Sequence, residues 1–380
     1  MSEQAGNRPG TAPIGRREAL GTMAAASGLA VAGCLSALGG GEDPFDSYDP
    51  QASGVDATGV TWDDLGDLEG TLTVYTGRTP DQIYPLFDHL EEQYPDFQID
   101  RDYDDNDRQL ASLRQEGDGS PADLFYTQDS GALAVLKDDG LARDLPDDVV
   151  DAVDDAYSDG DGQWTGVSGR VRAVLYNTDA FSGEDLPDDI FAYAEDDRFA
   201  GRISTRPNSG TFRAFIIAMM ELEGTERTRE WVRAMVDDQD VTLYDGGTQQ
   251  AEAVADGDQA IALGNQYYAG RILSNDPGAP IDVAFTRNDA GCLFNVSGIG
   301  ILESASKPNL AAEFTRHVLA VEGQEFFVET NGEYPVRDGV DTVGEMPSLA
   351  EIDPPEFDLN RLGLDLEEAR DLLSDEGMSV

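Results

Sequence analysis

Short apolar runs, each followed by a polar turn and then by apolar positions at helical spacing, recur along the chain. Leu72-Thr73-Val74-Tyr75 has strand character, and Thr79-Pro80-Asp81-Gln82 reads as a helix start. Thr79 is the expected N-cap, Pro80 the first helical residue, and Gln82 the partner that closes a capping box. Ile83, Leu86, Leu90 and Tyr94 then recur with helical period, and Pro85 within that run predicts a kink. The same strand-turn-helix statement appears three more times. Leu124-Phe125-Tyr126 passes through Gln128-Asp129-Ser130-Gly131 into Ala132 to Leu136. Arg202-Ile203-Ser204 passes through Pro207-Asn208-Ser209-Gly210-Thr211 into Phe212, Phe215, Ile216 and Met219. Ala260-Ile261-Ala262-Leu263 leads into Gly264-Asn265-Gln266-Tyr267-Tyr268. Repeated units of this kind predict α/β layers with ligand sites at the carboxyl ends of strands, where helix N-termini present free N–H groups to an anion.

Charge changes the picture of the surface more than that of the fold. The chain has 380 residues with 76 acids against 25 bases, a formal net charge of −51. Such a surface repels nucleic acid and anionic membranes, so no nucleic-acid partner is expected. Hydrophobic residues are 40% of the chain, enough for a sizeable core and against global disorder. Lys137 and Lys307 are the only lysines. This composition suits brine, where molar salt screens charge within about 3 Å.

The first residues read as an export signal. Arg16-Arg17 precedes a small-apolar run from Gly21 to Ala32, ending in Val31-Ala32-Gly33-Cys34. That order matches a twin-arginine signal with a lipobox over residues 1–33, and Cys34 becomes the lipid-bearing first residue of the mature chain. The run is too short to span about 30 Å of hydrocarbon, so the expected membrane contact is the lipid anchor alone. Residues 34–65, with seven acids and no bases from Leu35 onward, read as a flexible tether. Cys292 is then the one remaining cysteine, so no internal disulfide is expected.

Familiar catalytic signatures are absent: no P-loop, nucleophile elbow, Cys-x-x-Cys or His-Glu-x-x-His occurs. His89 and His317 lie in amphipathic runs and read as surface or packing residues, and Asp159-Gly160-Asp161-Gly162 reads as a solvated turn without the full spacing of a calcium loop. What stands out is Tyr267-Tyr268, after a strand and Asn265. On its own the dipeptide reads most simply as amphipathic packing. Two phenols on a strand-to-helix turn could also both face a cleft, and phenolate is a hard oxygen donor suited to a hard trivalent cation. The phenol pKa lies near 10, so a cation must displace the protons, and binding weakens as pH falls.

From about Leu72 to Pro335 the chain resembles the ferric-iron-binding proteins of ABC transporters, a branch of the bilobal substrate-binding proteins. The resemblance rests on Thr73-Val74-Tyr75-Thr76-Gly77-Arg78, Pro121 through Asp129, Trp164 through Arg170, and Tyr176-Asn177-Thr178. It continues through Pro207-Asn208-Ser209-Gly210-Thr211-Phe212, Asn265-Gln266-Tyr267-Tyr268, Ser297-Gly298-Ile299-Gly300 and Glu322 to Phe327. It implies Fe(III) as transported ligand on Tyr267 and Tyr268. A carbonate or phosphate-like synergistic anion would sit on Ser209, Gly210 and Thr211 with Asn265 beside it. Arg78 stands where some members hold carbonate, and Arg170 would add positive field. Salt bridges to carboxylates are the alternative role for both arginines. The chain departs from the pattern at Thr79, where many members have histidine, at Gln128, where some have glutamate, and at Thr211 and Phe212, where others have a third tyrosine. Protein ligation then reduces to the tyrosine pair, with anion and water completing the shell and Gln128 or Asp129 as further cleft residues.

The resemblance implies a bilobal α/β protein of the periplasmic-binding type II kind. Lobe 1 is expected over 66–167 plus about 298–330 and lobe 2 over 168–297 plus about 331–380, with crossing segments near Ser168 to Leu175 and Phe294 to Gly298. The expected partners are an ABC permease and its ATPase, and the protein is expected to be monomeric and not an enzyme. A metal-free anion, a ferric chelate, or a secreted hydrolase using cleft carboxylates are the other readings.

Overall fold

The computed structural model of the protein describes residues 58–342, 347–363 and 366–378. The expectations about the export signal, Cys34 and residues 34–57 lie outside the described residues.

Each strand-turn-helix statement folds as one unit. β1 (Gly70–Thr76) leads into α1 (Pro80–Gln93) and β2 (Phe97–Tyr103), which is followed by α2 (Asn106–Glu116). The capping box forms as the sequence predicts, with the Thr79 N–H donating to Gln82 Oε1 at 3.3 Å, and the helix continues through Pro85. β3 (Leu124–Thr127) leads into α3 (Ser130–Asp138), and the long β4 (Thr165–Asn177) crosses to the second half of the molecule. There β5 (Ile203–Thr205) leads into α4 (Gly210–Glu223) and α5 (Thr225–Asp237), and β6 (Thr242–Leu243) into α6 (Gly247–Ala255). β7 (Ile261–Asn265), α7 (Tyr267–Asn275) and β8 (Ile281–Ala284) follow, and β9 (Phe294–Ile301) returns to the first half, covered by α8 (Pro308–Leu319) and α9 (Val321–Asn331).

The strands form a mixed sheet in the order β2-β1-β3-β9-β4-β7-β5-β6, with β8 also paired to β4. β1 pairs in parallel with β2 and β3, and β5 with β6 and β7, the parallel pairing that connections through helices allow. β4 joins the halves. Its residues Thr165 to Val171 pair antiparallel with β9, and Arg172 to Asn177 pair with β7 and β8. Every residue of β4 and β9 is buried, so the crossing strands are core on both faces. In α4 the apolar positions read from the sequence, Phe212, Phe215, Ile216 and Met219, are all at most 1% exposed.

The chain is docked earlier than the tether expectation places it. From Thr58 it bonds to Gly339, and the buried Trp62 donates its indole N–H to the His317 carbonyl at 2.9 Å. An indole has too much apolar surface to leave in water when a partner for its N–H is at hand. His317 is buried between the Glu313 carbonyl and the Tyr94 hydroxyl, and burial pushes its pKa down. The His89 ring lies 5.5 Å from that of Trp62 at a 34° tilt, and Cys292 is buried and free. Asp159 and Asp161 both bind Lys137 at 2.7 Å, so that turn is tied down by one of the two lysines. The C-terminal segment divides its contacts: Leu359–Gly363 packs on α3 and α4, and α10 (Leu366–Asp375) on α4 and α5. Among the described residues, no helix is long and apolar enough to cross a membrane.

Candidate metal and anion-binding cleft

The ends of β1, β3, β5 and β7 deliver their turns to one polar cleft of about 520 Å³ between the two halves. Tyr267 and Tyr268 open α7 directly after β7. Their ring centroids are 4.4 Å apart with a 46° interplanar angle. Tyr267 is 3% exposed and Tyr268 half-buried, and both line the cleft. Asn265 donates its amide to the Tyr267 hydroxyl at 3.2 Å and reaches Thr211 Oγ1 at 3.5 Å. The tyrosine pair and the Ser-Gly turn are thereby brought together.

The turn itself is a helix N-terminus. Ser209 caps α4, its Oγ accepting from the Phe212 N–H at 3.0 Å and lying 3.1 Å from Thr211 Oγ1. The N–H groups of Gly210 and Thr211 have no intrahelical acceptor and carry the positive end of the helix dipole. A second N-terminus, that of α6, meets the Tyr268 ring. A Cβ on Gly247 would stand 2.2 Å from Tyr268 Cζ, so only glycine allows the ring its place.

The first half faces these groups with Thr79, Gln128 and Asp129. Asp129 caps α3 through Oδ1 and accepts from Asn106 Nδ2 at 2.8 Å through Oδ2. That same Oδ2 lies 3.1 Å from where a Cβ on Gly210 would be, so the halves touch at this point. Arg213 adds an ion pair across the cleft to Asp107 at 3.4 Å.

Three of the proposed anion residues do not line the cleft: Asn265 is bonded to two residues that do, Tyr267 and Thr211, while Arg78 and Arg170 are held elsewhere. Arg78 is fully buried, donating to both oxygens of Glu333 at 3.0 and 3.1 Å and to Ser168 Oγ at 3.2 Å. This is the salt-bridge role left open from the sequence. Arg170 is 1% exposed and also absent from the lining. The positive charge of the cleft comes instead from Arg206, Arg213 and Arg271, none of which stood out in the sequence. Arg271 lies four residues after Tyr267 on α7, and its guanidinium sits 5.0 Å from the Tyr267 ring centroid and 6.0 Å from that of Tyr268. That i, i+4 spacing is the signal that could have found it. Arg206 immediately precedes the Pro-Asn-Ser-Gly turn.

Burial, and next the adjoining Tyr267 phenol, push the Tyr268 pKa above that of an ordinary tyrosine, while Arg206 and Arg271 pull it back. The proton stays on Tyr268 until a cation displaces it. Among the described residues no cluster of three or more His, Cys, Asp or Glu side chains is placed to hold a metal. The donors that converge here are phenols, amides, hydroxyls and helix N–H groups.

Two α/β halves sharing crossing strands, with a polar cleft between them at the strand ends, define a bilobal solute-binding protein. Residues 119–364 match the bacterial extracellular solute-binding protein family, and the chain belongs to it. The chain is 29% identical over 282 residues to iron uptake protein A1 of Synechocystis sp., covering 71% of this chain and 77% of that protein. It is 26% identical over 318 residues to the major ferric iron-binding protein of Neisseria meningitidis, covering 81% and 93%. Iron-bound HitA from Pseudomonas aeruginosa superposes with a TM-score of 0.75 at 28% identity, over 81% of this chain and 99% of that one. The fold is the bilobal one expected from the sequence, and the family is one of solute-binding proteins, not enzymes.

Proposed function

We propose that the protein captures Fe(III) outside the cytoplasm and delivers it to an ABC permease driven by its ATPase. The observation that carries this reading is the close, mutually tilted pair Tyr267 and Tyr268, with Asn265 linking Tyr267 to Thr211 at the α4 N-terminus. Two phenolates offer hard, anionic oxygen to a hard cation. A carbonate or phosphate-like synergistic anion would accept from the Gly210 and Thr211 N–H groups and the Ser209 and Thr211 hydroxyls, and would complete the metal shell with water. Gln128 and Asp129 approach from the other half, so closure about a hinge in β4 and β9 would favour the loaded state through contacts from both sides. The names of the Synechocystis, Neisseria and Pseudomonas proteins support iron as the cargo.

Arg206, Arg213 and Arg271 favour a second reading for the same cleft, a ferric chelate or a metal-free polyvalent anion. Protein isolated in molar salt separates them by metal analysis. About one iron per chain, lost on replacing both tyrosines by Phe, supports the first reading. Iron released together with one organic chelator per chain and retained after both tyrosines are replaced, or absence of iron with a tightly held anion, supports the second. Export by the twin-arginine route and anchoring through Cys34 complete the proposal, and Cys34→Ala should release a monomeric protein into the medium.

A further inference from the structure

Alternation along β4 turns Ser168, Arg170 and Arg172 to one face. Arg78 reaches the same row through its bond to Ser168 Oγ. Three guanidinium groups therefore line one buried face, 0%, 1% and 5% exposed for Arg78, Arg170 and Arg172. One carboxylate answers them, and Glu333 spends both of its oxygens on Arg78. Arg172 lies on the faces of Phe212 and Phe215, at 5.4 and 4.6 Å, with Nη2 unpartnered. Arg170 has no partner at Nε, Nη1 or Nη2, and among the described residues no carboxylate oxygen lies within 4 Å of it.

Asn295 is the register partner of Arg170 on β9, which brings the two Cβ atoms to about 5 Å. Its Oδ1 accepts from Ser130 Oγ at 2.8 Å, the Ser130 N–H at 3.3 Å and the Val296 N–H at 2.8 Å. Three donors fix the amide orientation, and Nδ2 is left buried without a partner. The unsatisfied atoms of this pair, Arg170 Nε, Nη1 and Nη2 and Asn295 Nδ2, are all donors. The nearest unsatisfied acceptor named by the strand register, Asn265 Oδ1, faces Arg172 from β7, on the opposite flank of β4. Water needs acceptors as well as donors and cannot neutralise a guanidinium that keeps its proton.

We infer that Arg170 and Asn295 hold a monovalent halide, chloride in brine, at the crossing of β4 and β9. A small singly charged sphere accepts N–H bonds from irregular directions, whereas a polyvalent oxyanion costs more to desolvate there. The ion would balance the surplus of guanidinium charge and tie together the two strands that link the halves. The site lies outside the cleft and is independent of the cargo.

Crystals of the full chain soaked in sodium bromide test this by anomalous diffraction. One bromide within hydrogen-bond reach of Arg170 and Asn295 Nδ2 is the expected result, and no anomalous peak there at saturating bromide would overturn the site. In solution, Tm should be higher in potassium chloride than in potassium glutamate of equal ionic strength. Asn295→Asp places a fixed negative charge opposite Arg170, so it should fold, lose the bromide peak and lose the chloride-specific rise in Tm. Retention of both by Asn295→Asp would contradict the assignment. Should that variant not fold, the bromide result on the unaltered chain decides.

Discussion

The Tyr268 ring lies so close to Gly247 that a Cβ there would stand 2.2 Å from Cζ. The start of α6 thus sets where the second phenol can sit. Gly247→Ala should push Tyr268 out of line with Tyr267 and weaken ferric binding at least tenfold, about 1.4 kcal/mol. Competition against citrate measures it, and circular dichroism should show the fold retained.

Proton competition follows from the position of Tyr268, whose phenol is held above its usual pKa chiefly by burial. Ligation expels that proton, so lowering pH opposes binding. The Tyr268 contribution is about a tenfold loss of affinity per pH unit. Ferric affinity measured between pH 5.5 and 8 should therefore fall with acid, and Tyr268→Phe should reduce the slope by one proton per metal.

The Arg78 to Glu333 pair is sealed on both sides, at 0% and 1% exposure. Arg78→Met leaves a buried carboxylate alone and should cost about 3–5 kcal/mol of stability by denaturant titration in molar salt. Adding Glu333→Met should recover much of that loss. A direct anion ligand would not show such recovery.

Glu325 is 1% exposed, and neither carboxylate oxygen has a partner. Burial, with Glu329 adding to it, raises its pKa to about 7. The folded state thus binds the proton more tightly than the unfolded one. Stability from this group is complete below the ordinary glutamate pKa and is lost as pH rises through about 7. Glu325→Gln should raise Tm by on the order of 2 °C at pH 8 and leave it nearly unchanged at pH 4.5.

Local statements in the sequence carried far. Thr79 and Gln82 announced the start of α1, and the four apolar runs each became a strand feeding a helix. Tyr267, Tyr268 and the Ser209 turn meet in the cleft, with Asn265 bonded to Tyr267 and Thr211, because each sits at a strand end, a place that sequence order alone specifies. The arginines were another matter. Arg78 finds Glu333 255 positions away, a choice among 76 acids that tertiary packing alone makes. Arg206 and Arg271 face the cleft through turn and helix geometry that charge counting does not resolve. Trp62 shows the same limit, since its acidic surroundings read as tether while its ring is buried against His317.

The central claim is phenolate ligation by both tyrosines, and visible absorbance during ferric citrate titration in molar salt tests it most directly. The account predicts a phenolate-to-iron charge-transfer band saturating at one iron per chain, weakened in either single Tyr→Phe variant and gone in Tyr267→Phe with Tyr268→Phe. No band at any carbonate or phosphate concentration, or a band that survives the double substitution, would contradict it.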